Sequence, residues 1–179
     1  MARRIDLRAY QDSIAARLAA ARDDAGAPAL LGFEAGGTRW LVDLPAAGEV
    51  LPPPPLAPVP LTRPWFAGLA NLHGELGAVV DFAAFCGGPS TPPGGAARLL
   101  RIGARHGSNV ALLVARVHGL KRVDALVPTD PAPGPAAAWR GASLGDAQGE
   151  RWVRLDVERL LADPEFIDAA LPETAGIPT

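Results

Sequence analysis

Gly141-Ala142-Ser143-Leu144-Gly145 spells G-x-S-x-G, the pattern in which a strand-to-helix turn exposes a nucleophilic serine. That chemistry needs an acid and then a histidine later in the chain. The last histidine, His118, precedes Ser143, and a Pro/Ala-rich segment and an Asp146–Gly149 turn flank the serine in place of strand and helix. The hydrolase order is therefore ruled out. Cys86 offers a second nucleophile, with His106 or His118 as its base. It follows Phe82-Ala83-Ala84-Phe85, an apolar setting that raises a thiol pKa, so it reads as a structural cysteine. His73, His106, His118 and Cys86 share no zinc-like spacing. Asp43 and Asp81 sit on apolar strands, and paired-carboxylate chemistry would require them to face each other across a cleft. Carboxylates at strand ends more often accept backbone or arginine hydrogen bonds. Neither G-x-x-x-x-G-K-[ST] nor G-x-G-x-x-G occurs, which removes the common phosphate-binding loops. No cofactor, no metal and no enzymatic activity are expected.

The elements that would position these residues are mostly strands. Residues 7–25 form an exception: Leu7, Tyr10, Ile14, Leu18 and Ala21 fall on one helical stripe, with Asp12, Asp23 and Asp24 opposite. Asp6 suits the start of this helix, and Gly26 and Pro28 its end. It reads either as a helix packed on the body or as a docking helix for a partner. From Ala29 the period changes to two. Leu31, Phe33 and Ala35 alternate with Gly32 and Glu34, and Trp40 to Leu44 resumes after Gly36-Gly37, a strong hairpin signal.

Leu51 to Pro60 carries six prolines, so it cannot be a central strand; it reads as a stiff loop or, alternatively, a proline-rich ligand. Asn71 to Gly74 reads as a turn leading into a buried strand at Ala78 to Phe82. The Gly/Pro-rich residues 87–95 form the best internal boundary. Strands follow at Leu99–Ile102, Asn109–Val117, Leu120–Val127 and Trp152–Val157. Residues 158–171 read as short helices, with Asp163-Pro164 restarting the turn. Many short strands with irregular connections indicate small barrels.

Composition bounds the class. A chain of 179 residues with 49% hydrophobic residues and one cysteine can bury a core without disulfides or metal. The net charge is −2, and Lys121 is the only lysine among 17 basic residues; no basic stripe points to nucleic acid. No run approaches the roughly 20 apolar residues of a membrane span, and no apolar stretch after Arg3-Arg4 suggests a secretory signal. A cytoplasmic protein without direct membrane insertion is expected.

The ordered set of strands and turns resembles the CheW family. The likeness runs over residues 30–162, through the hairpin Leu31–Leu44, Glu49-Val50, Trp65–Leu69, Asn71-Leu72-His73-Gly74 and Ala78–Phe82. It continues through Asn109–Val114, His118-Gly119-Leu120 and Trp139–Leu161, with the GASLG match falling in a Gly-rich loop before the last strand. The resemblance implies a mainly β fold: two small five-stranded SH3-like barrels in residues 29–162, packed across a hydrophobic seam. An N-terminal helical extension (1–28) and a C-terminal helix and tail (163–179) flank them. It further implies a non-catalytic adaptor that binds the signalling tip of a methyl-accepting chemoreceptor and the regulatory domain of a CheA-type histidine kinase. Outside the receptor array it would be a monomer. The sparse lysines and N-terminal helix look most like the PilI branch, which serves type IV pilus twitching. The alternatives are a module of the same fold with a changed partner, or a small enzyme with an unrecognised site, which would show a deep pocket with convergent polar groups.

Residue by residue, the resemblance places receptor binding at Asn71, Leu72, His73 and Gly74, with Glu49 pairing into this motif. The family has arginine where this chain has His73. A guanidinium is forked and always charged, whereas histidine is mostly neutral at neutral pH. Either His73 is a polar turn residue without consequence or it alters how a receptor is gripped. Val42, Leu44, Leu112, Val114 and Val117 are candidates for an apolar partner interface, each with core packing as the competing assignment.

Overall fold

The computed structural model describes residues 29–171 apart from 93, 103, 104, 106 and 135. The helix expected over residues 7–25, His106 and the tail beyond 171 lie outside them.

Ala29–Ala35 (β1) and Thr38–Asp43 (β2) form the expected hairpin. Gly36 and Gly37 take φ of +59° and +73° at its tip, the left-handed pair that a two-residue turn requires. The chain then supplies five strands in succession to another sheet. These are Glu49–Leu51 (β3), Phe66–Leu72 (β4), Glu75–Asp81 (β5), Arg98–Ile102 (β6) and Val110–Val114 (β7). It returns through Arg116–Arg122 (β8), Val127–Pro128 (β9), Arg140–Gly145 (β10) and Arg151–Leu155 (β11). The strand orders are β8-β1-β2-β11-β10-β9 and β3-β6-β7-β5-β4.

The fold is mainly β with two sheets, as expected, and two details differ. The first sheet has a sixth strand, the two-residue β9 at its edge, where the missing N–H of Pro128 is tolerated. The Gly/Pro-rich residues 87–95 do not separate the two units, because β3 to β7 on either side of them share one sheet. Turn composition marks where chain meets solvent, not which sheet follows. The first unit is instead closed from both ends of the chain: β11 lies parallel to β2, with Val153, Arg154 and Leu155 opposite Trp40, Leu41 and Val42.

Three apolar clusters account for the strand pattern. Leu30, Leu41 and Trp152 fill the first sheet's inner face. Ala70, Leu72, Val79, Ala97, Leu99, Ala111 and Leu113 fill the second's. Between the sheets lies a larger seam that includes Phe33, Trp40, Val42, Phe82, Leu100, Leu112, Val114 and Trp139. Trp40, Leu41 and Val42 are thus all buried although they alternate faces, as are Leu112, Leu113 and Val114. One parity points into its own sheet's interior and the other into the seam. Within the seam Trp40 meets Phe82 edge-on at 5.1 Å, and Trp139 lies 5.7 Å from Phe82.

Short helices complete the body. Asp81 caps Phe82–Phe85 (α1), Asp156 caps Val157–Leu161 (α2) and Asp163 caps Pro164–Ile167 (α3), each carboxylate accepting first-turn N–H groups. Phe166 of α3 is buried and stacks parallel to Trp65 at 6.3 Å, which fixes α3 to the body. Among the described residues no helix is long and apolar enough to cross a membrane.

Candidate functional site

The Asn71–Gly74 motif forms the tip of the β4–β5 hairpin, where Leu72 pairs with Glu75. The two residues between them must have positive φ; His73 has +56° and Gly74 +91°. Histidine is among the few non-glycine residues enriched in this region. The Asn71 Oδ1 accepts the Gly74 N–H at 2.6 Å, and the Leu72 side chain is buried in the second sheet's interior. Asn71 and Leu72 therefore shape and anchor the turn, while His73 stands out from it, 63% exposed.

Glu49, on β3, lies across from this tip. Its Oε2 is 3.2 Å from His73 Nδ1, so four of the five candidate receptor-binding residues form the turn and the fifth reaches it. Sequence reasoning missed what surrounds them. Arg101 is the cross-strand neighbour of Glu49 on β6 and ion-pairs with Glu75, the first residue after the turn. The Asn109 side-chain amide donates to the Leu76 carbonyl at 2.6 Å, and the Leu76 side chain is 69% exposed. Arg101 Nε and Asn109 Oδ1 are buried and find no hydrogen-bond partner among the described residues. The corner thus combines an exposed leucine, two carboxylates, an imidazole and one permanent guanidinium. Glu75 and Leu76 follow the motif directly and were within reach of a sequence reading. Arg101 and Asn109 enter only through strand register.

The apolar interface candidates need correction. Val42, Leu44, Leu112 and Val114 are buried in the seam, and Val117 packs partly buried against it. Alternation identifies two faces per strand, but here the second face is covered by the opposite sheet. The four buried side chains present no rim for a partner, whereas Val117 stays partly exposed on the edge strand β8.

The residues with possible chemistry are occupied structurally. Ser143 sits on strand β10, not in a loop, and its Oγ accepts the Ala132 N–H at 2.8 Å. Burial pushes the Cys86 thiol up to about 12, against the opposing pull of Arg140. His118 Nε2 lies 3.1 Å from Glu34 Oε2. Asp43 accepts from Arg154 at 2.7 and 3.0 Å. Asp81 is buried and accepts from the Ala83 and Ala84 N–H groups and from both the N–H and hydroxyl of Thr91. The two aspartates are thus strand-end acceptors, each serving its own loop or strand. Among the described residues no three His, Cys, Asp or Glu side chains group as metal ligands would.

A family model described as the CheW-like domain matches residues 29–165. A search of curated proteins returns no match. Among solved structures, the crystal structure of the scaffolding protein TtCheW from Thermoanaerobacter tengcongensis is similar, with a TM-score of 0.63 at 16% identity. The likeness covers 74% of this chain and 86% of that one, and it is a likeness of fold. The family match spans the body from β1 into α3, including both sheets and the hairpin corner; the chain belongs to the family of CheW-like domains.

Proposed function

We propose that this protein is a non-catalytic, cytoplasmic adaptor that couples methyl-accepting chemoreceptors to a CheA-type histidine kinase, in chemotaxis or type IV pilus twitching. The observation that carries the reading is Leu76, a large side chain left exposed beside Glu49, His73, Glu75 and Arg101. An apolar contact ringed by charges of both signs suits a helical receptor tip: the leucine is desolvated on binding while the rim charges select register. Recruitment to membrane-associated arrays would then come through the receptor, with the adaptor itself a monomer.

The test is a pull-down with purified receptor signalling tip and kinase regulatory domain from the same organism. Capture of both is expected. Capture of neither would remove the coupling role. His73, at the family's arginine position, favours one second reading: a CheW-fold module that has changed its partner. Kinase-domain capture without receptor capture would select that reading.

A further inference from the structure

The proline run after Leu51 carries the chain from one edge of the second sheet, β3, to the other, β4. Both of its ends are fixed. Leu51 pairs with Leu99 on β6, and Ala57 exchanges both backbone hydrogen bonds with Leu69 on β4, at 2.8 and 2.9 Å. Gly68 permits that approach, since a Cβ there would run into the Ala57 carbonyl oxygen. Thr62 Oγ1 donates to the Val59 carbonyl at 2.8 Å. Leu51 and Leu56 pack against the second sheet's interior cluster.

Between these anchors the conformation follows from proline itself. Each of Pro52 to Pro55 fixes its own φ near −65° and holds the residue before it out of the helical region. The run is thereby confined to polyproline II, with three residues per turn. Burial repeats with that turn. Across residues 52–59, Pro52, Pro55, Ala57 and Pro58 are exposed, whereas Pro53, Pro54, Leu56 and Val59 are partly buried. Leu61, 80% exposed, follows at the next step of three, in the turn that ends the run. Among the described residues no backbone N–H reaches the carbonyls of Pro53 to Leu56, so they stay free to accept. From Val50 to Thr62 the chain has no charged residue.

Crossing the sheet requires the inward residues, but not proline at three successive outward positions. We propose that Pro52, Pro55 and Pro58 form a docking ridge for a partner protein whose groove reads polyproline II through aromatic side chains and carries no charge. Tyrosine and tryptophan rings would pack on the pyrrolidine rings, with their O–H and N–H groups donating to the free carbonyls. Six polyproline steps from Pro52 to Pro58 extend about 19 Å, and the anchored ends remove most of the ordering cost of binding. An acidic groove that grips a flanking arginine is not matched: Arg63 Nε already donates to the Asp168 carbonyl at 3.0 Å. No side chain of the hairpin corner belongs to the ridge, so the inference does not depend on the receptor-coupling role.

Calorimetric titration of the full chain with a purified WW domain, whose groove is aromatic and uncharged, tests it beside a free peptide of residues 50–60. The folded chain should bind at least as tightly as the peptide, because its ridge is already ordered. Pro55→Arg places a charge on the ridge and should weaken binding about tenfold. Pro55 is exposed, so the urea midpoint should stay that of the wild type. Pro58→Arg, at the next outward position, should lose the same factor. Equal affinity of the wild type and both variants overturns the proposal, and so does the absence of saturable binding to the folded chain. Binding of the peptide but not of the folded chain overturns it as well, because the groove would then need the side that faces the body.

Discussion

The interiors of the two sheets are filled by different chemistry. Under the first, Trp152 packs with Leu30 and Leu41. Its Nε1–H donates to Asp146 at 2.9 Å, and Lys121 both bonds Asp146 at 3.0 Å and lies over the indole at 4.8 Å. Gly32 makes room for the ring: a Cβ there would stand 2.8 Å from Trp152 Cζ3. Under the second, Ala, Leu and Val side chains form the cluster, and the buried carboxylate at its edge, Asp81, is satisfied by backbone N–H groups and Thr91 without an aromatic or cationic partner. A buried indole N–H demands an acceptor, and the acceptor demands its own partners. Aliphatic packing demands only volume. The second sheet's ion pairs lie at its outer hairpin corner instead, with side-chain exposures up to 65%. Polar contacts inside fix a fold, whereas polar contacts at a rim leave a surface free to change partner.

Truncation of each interior should separate them most strongly. Trp152→Ala is expected to cost about 3–5 kcal/mol, because a large cavity opens and Asp146 loses its indole donor. Leu113→Ala should cost about 2–4 kcal/mol, the transfer and cavity terms alone. Urea denaturation of both variants measures the difference. Equal losses would mean that the Asp146 network contributes nothing beyond volume.

Asp146→Asn addresses that network without altering shape. Burial alone would raise the Asp146 carboxyl, but the bonds from Trp152 and Lys121 outweigh it and hold the group below the ordinary carboxylate range. A carboxyl depressed in the folded state stabilises fully above its unfolded value of ~3.9 and loses that contribution as pH falls through the folded value. Asp146→Asn should therefore be less stable by about 1–2 kcal/mol at pH 7, and the gap should close in acid. Urea midpoints of both proteins from neutral pH to below the carboxylate range provide the check. A gap constant across that range would contradict the assignment.

How much of this was legible in the sequence follows from the range of each interaction. The Gly36-Gly37 hairpin, the Asp163-Pro164 restart and Asp81 as a strand-end acceptor depend on neighbours within the chain, and local pattern revealed them. The parallel pairing of β11 with β2 joins residues more than a hundred apart, and no local signal marks it. For the same reason the loop at 87–95 misled as a boundary. Val42 and Val114 could not be assigned from alternation, since period two names two faces without saying that both are covered. At the site, the turn and Glu49 were reachable through the family likeness. Arg101 was not, because its place beside Glu49 depends on the register of β3 on β6.

At the rim the order of effects should reverse, with little change in stability and a clear change in binding. Arg101 and Glu75 pair with the carboxylate 65% exposed, which limits the pair to about 0–1 kcal/mol of stability. Arg101→Ala should nevertheless weaken receptor-tip capture about tenfold, since it removes the corner's permanent positive charge. A titrated pull-down measures this. Loss of stability with intact capture would place Arg101 with the structural networks of the first interior.

The smallest change, His73→Ala, is the finest test. The Glu49–His73 pair is exposed on both sides, so its loss should shift stability by no more than about 0.5 kcal/mol, with a small addition for alanine at φ +56°. If the imidazole grips the receptor, affinity for the signalling tip and array formation should fall while the urea midpoint barely moves. Unchanged affinity would leave His73 as a turn residue that merely tolerates positive φ. Recognition would then rest on Leu76 and the Arg101–Glu75 pair, and His73→Arg, which restores the family's guanidinium, discriminates further. Gain of binding to a receptor tip that the wild type ignores would mark residue 73 as the position that sets partner choice.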